Sequence, residues 1–160
     1  MSGSSSGAEP RRLHPLPAAL AVAHAGWIWW LSSAEREWGG GGRIWGFLGN
    51  SLHFALFGVL AILLAEACRQ RGGWTRDALL GVIGLVAAYG IVDELHQMRV
   101  PGRRADAADV CVDFLGAVGA LALWWGVRGP GRVGPALLRA FAVGAAAALF
   151  NGWRAWGRLP

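Results

Sequence analysis

Half of the ten acidic residues in this chain fall within residues 93–113, where apolar segments lie on both sides. Carboxylates in such a setting can act as general bases or accept hydrogen bonds from substrate hydroxyl groups. An ionisable side chain inside a spanning segment costs roughly 2.5–3.5 kcal/mol on insertion scales, so we expect it to have a function or a partner. The candidate catalytic residues are Asp93, Glu94, His53 and Asp109, and the candidate substrate-binding residues are Gln97, Arg103, Asp106, Asp113 and Tyr89.

Helical spacing places these polar groups on two faces. The groups before the Pro-Gly turn recur every four residues, and those after it recur at spacings of three, four and three, so each set shares one side of a helix. Because the linker 98–105 is short, we expect antiparallel neighbouring helices whose polar faces meet near the bilayer surface. The faces comprise Tyr89, Asp93 and Gln97 on the earlier helix and Asp106, Asp109, Asp113 and Gly116 on the later one.

Arg103, in the linker, supports two interpretations. In the first, it bridges Glu94 and Asp109 bidentately and only locks the two helices together. In the second, it binds the phosphate of an anionic or sugar-bearing lipid head group in an outward-facing pocket, while the carboxylates act as bases or accept hydroxyl groups. His53 lies at the same depth, where a histidine among several carboxylates can either bind a divalent cation or relay a proton. The histidines show no HxxxH or HExxH spacing, so we predict no metal site, and the cofactor stays unknown.

The composition identifies the setting of these residues. Of 160 residues, 54% are hydrophobic and 16% charged, with a mean hydropathy of +0.38. Average soluble domains carry roughly 25% charged residues, so the composition indicates a small polytopic membrane protein. All fifteen basic residues are arginine, in short clusters between apolar runs. That distribution is typical of membrane loops, whereas a nucleic-acid-binding protein would concentrate its positive charge, so we expect no nucleic-acid partner.

The apolar runs predict an all-α transmembrane bundle with four to five spanning helices, because a spanning helix needs about 20 mostly apolar residues. A flexible polar tail, 1–14, precedes a membrane domain, 15–160. Within the fourth span, Gly116 and Ala120 form a small-xxx-small pair that would allow close helix contact. The predicted spans are 16–31, 45–67, 78–95, 107–127 and the shorter, Ala-rich 133–150.

Arginine counts predict the orientation through the positive-inside rule. With the N-terminus inside, cytoplasmic segments hold eight arginines and the opposite side seven. Setting aside Arg99, Arg103 and Arg104, which belong to the candidate site, gives eight to four and a cytoplasmic N-terminus. A cleaved signal peptide is the alternative for the first apolar run, but the run continues through three tryptophans, which favours a retained helix.

The motifs in the second to fourth spans resemble those of VanZ-like membrane proteins, over residues 50–120. The family pattern closes one helix with an acid-x-x-Gln pair, continues through a Pro-Gly-Arg turn and opens the next helix with Asp-x-x-Asp. It then has an Asn four residues on and a Gly three beyond. The matching residues are Asp93, Glu94, His96, Gln97, Pro101, Gly102, Arg103, Asp106, Asp109, Asp113 and Gly116.

The sequence departs from the family pattern at four positions. Asn50 and Ser51 replace an Asp-Lys pair, Phe57 stands where the family has a tyrosine, and Asp113 replaces the asparagine of the later helix. His53 of the same motif is retained. These changes remove one ion pair and add one acid, so a mechanism borrowed from the family would not transfer at these positions.

The resemblance implies a multi-pass protein of the cell membrane. The founding member is linked with low-level teicoplanin resistance, so the expected partners are membrane lipids or lipid-linked envelope precursors. The resemblance supplies no reaction, and whether the protein is an enzyme stays open. Two other functions are compatible with the residues: an accessory membrane subunit whose acidic and arginine groups only lock helices, and a proton-coupled transporter, which would need a homo-oligomer.

Overall fold

The computed structural model is all-α within the part of the chain that it describes, which is residues 13–34, 43–70, 73–103, 105–128 and 133–156. This confirms the all-α part of the predicted fold class. The first four helices match the predicted spans to within a few residues, and the fifth extends beyond the predicted range. Most of the predicted polar tail lies outside the described residues. The helices are α1 (Pro15–Ser32), α2 (Arg43–Ala67), α3 (Arg76–Gln97), α4 (Ala107–Arg128) and α5 (Val133–Trp156).

Local signals in the sequence explain where the helices begin. Pro15 and Pro17 lie in the first turn of α1, where a missing backbone N–H leaves no helical hydrogen bond unmade. Thr75 caps α3, because its hydroxyl oxygen accepts a hydrogen bond of 3.1 Å from the backbone N–H of Ala78. Asp106 caps α4 in the same way, because its Oδ1 accepts a hydrogen bond of 2.9 Å from the backbone N–H of Ala108. This side chain therefore stabilises the start of α4 at the edge of the candidate site.

The described helices include two that are long and apolar enough to cross a bilayer, α3 and α4. The stretch of α2 from Ser51 to Ala67 is apolar but shorter. Large apolar side chains such as Leu16 and Leu149 are well exposed on the outside of the bundle, whereas Asp113 is fully buried. Apolar groups outside and acids inside are what a bundle surrounded by lipid requires. These features indicate a membrane protein. Four to five spanning helices were predicted, and two of the described helices meet the criteria of length and apolar character.

α2 is the central helix of the bundle, since it contacts the other four. Its closest approach is to α4. A methyl group added at Gly58 would lie 3.1 Å from Cβ of Ala120 and 3.2 Å from the carbonyl oxygen of Gly116, and one added at Gly116 would overlap the carbonyl oxygen of Phe54. The predicted small-residue pair therefore does permit close helix contact, and the helix that it contacts is α2.

A polar cluster ties together the ends of α2 and α4. One carboxylate oxygen of Glu66 accepts a hydrogen bond of 2.7 Å from the indole N–H of Trp124, and the other lies 3.3 Å from Arg69 and 3.6 Å from Arg128. The guanidinium of Arg128 also stacks over the Trp124 ring at 4.6 Å. Arg69 and Arg128 are two of the eight arginines assigned to the cytoplasmic side from the sequence, and both lie at the same end of the bundle.

Candidate functional site

The site lies where α3 ends and α4 begins. Glu94, near the end of α3, contacts Asp106, just before α4, while Gly90, one turn earlier, faces Asp113, two turns later. The end of α3 contacts the start of α4, and positions further back in α3 contact positions further along α4. The two helices are therefore antiparallel neighbours, as the short linker predicted. α2 forms a third wall, through His53, so three helices carry the side chains that converge here.

Four ionisable side chains form what we call the carboxylate cluster: His53, Asp93, Glu94 and Asp113. The relative exposure of the three acids is 1%, 5% and 0% in that order, and the His53 side chain is 13% exposed. An unpaired buried charge is strongly destabilising, so the partners of each group decide what the cluster can do.

Each acid of the carboxylate cluster has one oxygen atom with a hydrogen-bond partner. Oδ2 of Asp93 accepts a bond of 2.8 Å from the amide of Gln97, and Oε2 of Glu94 accepts one of 2.6 Å from the backbone N–H of Asp106. Oδ1 of Asp113 lies 3.1 Å from Nδ1 of His53. These contacts fix the orientation of each carboxylate at one oxygen.

The second oxygen of each acid is buried without a hydrogen-bond partner. These atoms are Oδ1 of Asp93, Oε1 of Glu94 and Oδ2 of Asp113. One potential ligand atom from each of His53, Asp93 and Glu94 lies within 4.8 Å of the other two. Asp109 is half-buried in the first turn of α4, close enough to Glu94 and Asp113 to interact with them electrostatically. The site therefore concentrates negative charge around one imidazole.

Gly90 makes this convergence possible, although the sequence analysis did not single it out. A methyl group at this position would lie 2.9 Å from Oδ2 of Asp113 and 3.5 Å from the ring of Phe57. The α3 backbone can approach the acid on α4 only because no side chain intervenes. A glycine three residues before Asp93 within an apolar helical run was the available signal, since such glycines often have a packing reason.

Arg103 connects the linker to the end of α1 and does not bridge Glu94. Its Nε donates a hydrogen bond of 3.1 Å to the carbonyl of Ala34, and one terminal nitrogen donates one of 3.0 Å to the carbonyl of Leu31. The other terminal nitrogen donates a bond of 3.1 Å to the side-chain oxygen of Gln97. One oxygen of Glu94 is bonded to the backbone of Asp106 and the other has no hydrogen-bond partner, so the bidentate bridge of the first interpretation does not form at that acid.

Further contacts hold α1 beside the site. The hydroxyl group of Tyr89 donates a hydrogen bond of 2.6 Å to the carbonyl of Ala25, so this candidate binding residue faces α1 with its polar atom. The ring of His96 stacks on Trp29 at 3.8 Å, and its Nε2 lies 2.8 Å from the hydroxyl group of Ser33. These contacts could not be predicted from the sequence, because every residue has a backbone carbonyl and ring stacking has no marker in the sequence.

The structure thus divides the predicted site residues into two groups. Those brought together in the carboxylate cluster can accept hydrogen bonds, bind a cation or transfer a proton. Those that contact backbone groups or α1, together with Gln97, which joins Asp93 to Arg103, position the helices around that cluster. The first group is Asp93, Glu94, His53 and Asp113, with Asp109 beside it; the second is Gln97, Arg103, Asp106 and Tyr89.

Comparison with known proteins gives one finding. A family model described as VanZ/LLP1 matches residues 3–128, which is most of the chain and contains every residue of the site. No curated protein and no solved structure matches the chain.

Proposed function

Because this chain belongs to the VanZ/LLP1 family, we propose that it is a multi-pass protein of the cell membrane that binds or modifies a lipid head group. The proposed ligand is an anionic or glycosylated head group at the outer face, such as that of a lipid-linked envelope precursor. The observation that carries the proposal is the set of buried carboxylate oxygens without partners. A ligand that donates hydrogen bonds would remove a penalty of about 1–3 kcal/mol for each such oxygen.

The proposed topology has five spans with the N-terminus in the cytoplasm. Lipid-facing apolar side chains support it, since α1 and α5 also expose large apolar groups such as Leu20 and Leu138. The Glu66 cluster brings Arg69 and Arg128 to one end of the bundle, which fits the cytoplasmic side under the positive-inside rule. The carboxylate cluster is then near the outer leaflet, at the end of α1 to which Arg103 binds.

The chemistry of the site favours the hydroxyl-bearing part of a head group. Hydroxyl groups can donate hydrogen bonds to the free oxygens of Asp93 and Glu94, either of which would act as the base in a reaction. His53 would relay the proton, because its Nδ1 contacts Asp113 on the neighbouring helix. Arg103 contributes as a positioning residue, since its guanidinium already binds carbonyl groups near the end of α1.

A second function follows from Arg103 alone. Its hydrogen bonds fasten α1 to the linker and to Gln97, which is what an accessory membrane subunit with a purely structural polar cluster would need. On this hypothesis the protein binds a partner in the envelope and catalyses nothing. The two functions differ in whether an isosteric change of a carboxylate alters the lipids of the cell.

The test compares envelope lipids from cells that express the wild type, Glu94→Gln or Asp77→Asn at matched membrane levels. Asp77 is an exposed carboxylate at the other end of α3 and controls for loss of charge. We expect the wild type and Asp77→Asn to give the same lipid profile, and Glu94→Gln to differ from both in at least one lipid species. Teicoplanin susceptibility, measured in the same strains, should follow the same division. Identical profiles in all three strains would leave the accessory function as the better account.

A further inference from the structure

The carboxylate cluster has the composition and the convergence of a metal site. One ligand atom from each of His53, Asp93 and Glu94 lies within 4.8 Å of the other two. Metal–ligand bonds of roughly 2.0–2.2 Å place the ligand atoms around a Zn²⁺ ion about 3–4 Å apart, so a small movement of the side chains would close the shell. All three residues belong to helices, which hold ligands more firmly than loops do.

The unpaired oxygens point to a ligand at this place. Asp93 and Glu94 are 1% and 5% exposed, and each keeps one buried oxygen without a hydrogen-bond partner. Buried carboxylates are usually fully paired or coordinate a metal. Two carboxylates around a divalent cation give a neutral assembly, so an ion would satisfy the unpaired oxygens of Asp93 and Glu94 and balance the charge of these two acids.

The surroundings hold each of the three side chains in a defined orientation. Asp113 contacts Nδ1 of His53 at 3.1 Å, an arrangement found where a carboxylate orients an imidazole that binds a metal through Nε2. Gln97 binds one oxygen of Asp93, and the backbone N–H of Asp106 binds one oxygen of Glu94. Each carboxylate thus has one oxygen held and one oxygen available for coordination.

We infer that His53, Asp93 and Glu94 bind a divalent transition cation of the Zn²⁺ type, with Asp113 as the residue that orients His53. One imidazole and two carboxylates suit Zn²⁺ better than Mg²⁺ or Ca²⁺, which prefer oxygen ligands alone. Three protein ligands leave a coordination position open for a water molecule or a ligand oxygen. This inference goes beyond the proposed function and changes one part of it. With an ion bound, His53, Asp93 and Glu94 serve as ligands rather than as proton relay and bases, and a head-group hydroxyl would bind at the open coordination position.

The inference departs from the sequence-based expectation of no metal site, and the structure supplies the reason. Metal motifs on one helix place two ligands three or four residues apart. Here the ligands come from adjacent positions of α3 and from His53 on α2, forty residues upstream. Only the packing of α2 against the end of α3 brings them together.

The experiment measures the zinc content and the zinc affinity of the whole chain. The protein is purified through an affinity tag that contains no histidine, so that the tag itself does not bind zinc. After removal of metal by a chelator, the protein is loaded with Zn²⁺, and its affinity is measured by competition with a chromogenic chelator. We expect the wild type to bind one ion per chain, and Glu94→Gln and His53→Gln to lose that ion. Asp113→Asn should weaken binding about 10- to 100-fold, as loss of an orienting residue does at other metal sites.

Matched controls make the result specific to this cluster. His14→Gln and Asp77→Asn remove an exposed histidine and an exposed acid elsewhere, and both should bind zinc as the wild type does. Equal binding by the wild type, His53→Gln and Glu94→Gln would overturn the inference, as would a wild type that binds no zinc. If the variants fail to fold, X-ray absorption of the zinc-loaded wild type decides. A single imidazole in the metal shell supports the site, and a shell of oxygen alone refutes it.

Discussion

Gly116→Ala tests whether the close approach of α2 and α4 holds the site together. The added methyl group would overlap the carbonyl oxygen of Phe54, and the carbonyl carbon and Cα of that residue lie 3.0 Å away. Backbone atoms cannot rotate aside as a flexible side chain can, so the two helices must separate. Overpacking of this kind costs about 1–3 kcal/mol, and we expect the upper end of that range here.

Gly84→Ala is the matched control for this change. Gly84 lies in α3, where an added methyl group would meet nothing within 4 Å. Both variants gain roughly 0.5–1 kcal/mol from replacing a helical glycine, so this gain cancels when they are compared with each other. The difference between their unfolding free energies should therefore lie near the upper end of about 1–3 kcal/mol, and every 1.4 kcal/mol corresponds to about a tenfold change in the equilibrium constant.

The assay is reversible unfolding in mixed micelles with increasing SDS, followed by circular dichroism. Gly116→Ala should unfold at a lower SDS fraction than the wild type, and Gly84→Ala at the same or a higher one. Because His53 precedes Phe54 on α2, separation of the helices should also lengthen its 3.1 Å contact with Asp113. Equal midpoints for the two variants would show that α2 and α4 are not in backbone contact at this position.

Two further changes test how α1 is attached. Arg103→Lys should release the end of α1, because an ammonium group cannot reproduce the planar guanidinium that donates to two backbone carbonyls and to Gln97. Limited proteolysis between α1 and α2 measures this release as faster cleavage. Arg99→Lys changes an exposed arginine of the same linker and should be cleaved at the wild-type rate. Tyr89→Phe removes the hydrogen bond to Ala25 and should lower the unfolding free energy by about 0.5–1.5 kcal/mol in the SDS assay, whereas an unchanged midpoint would show that this bond contributes nothing.

Spacing in the sequence was sufficient to predict the pairing of α3 and α4. Residues every three or four positions share a helix face whatever surrounds the helix, so Asp113 and Gly116 were predicted on one side of α4, and both are buried there. The short linker then left α3 and α4 no alternative to an antiparallel arrangement. Both inferences use only local geometry, which a single sequence contains.

The partners of these residues could not be predicted in the same way. Sequence reasoning paired Arg103 with acids because opposite charges are visible in a sequence, whereas two of its acceptors are backbone carbonyls, which every residue has. It also gave Gly116 no particular neighbour, and that neighbour is Phe54 of α2. Contacts between helices distant in the chain depend on how the whole bundle packs, and neither spacing nor composition specifies that.

The hydrogen bonds from Arg103 to α1 can form only after the linker between α3 and α4 has been synthesised. Leu31 and Arg103 are separated by 72 positions in the chain. At a translation rate of 5–20 residues per second, about 4 to 14 seconds pass between the synthesis of the first helix and that of the residue that fastens it. During this interval the carbonyl groups of Leu31 and Ala34 lack the donors on Arg103. A ribosome that stops before the linker therefore leaves the end of α1 without these hydrogen bonds.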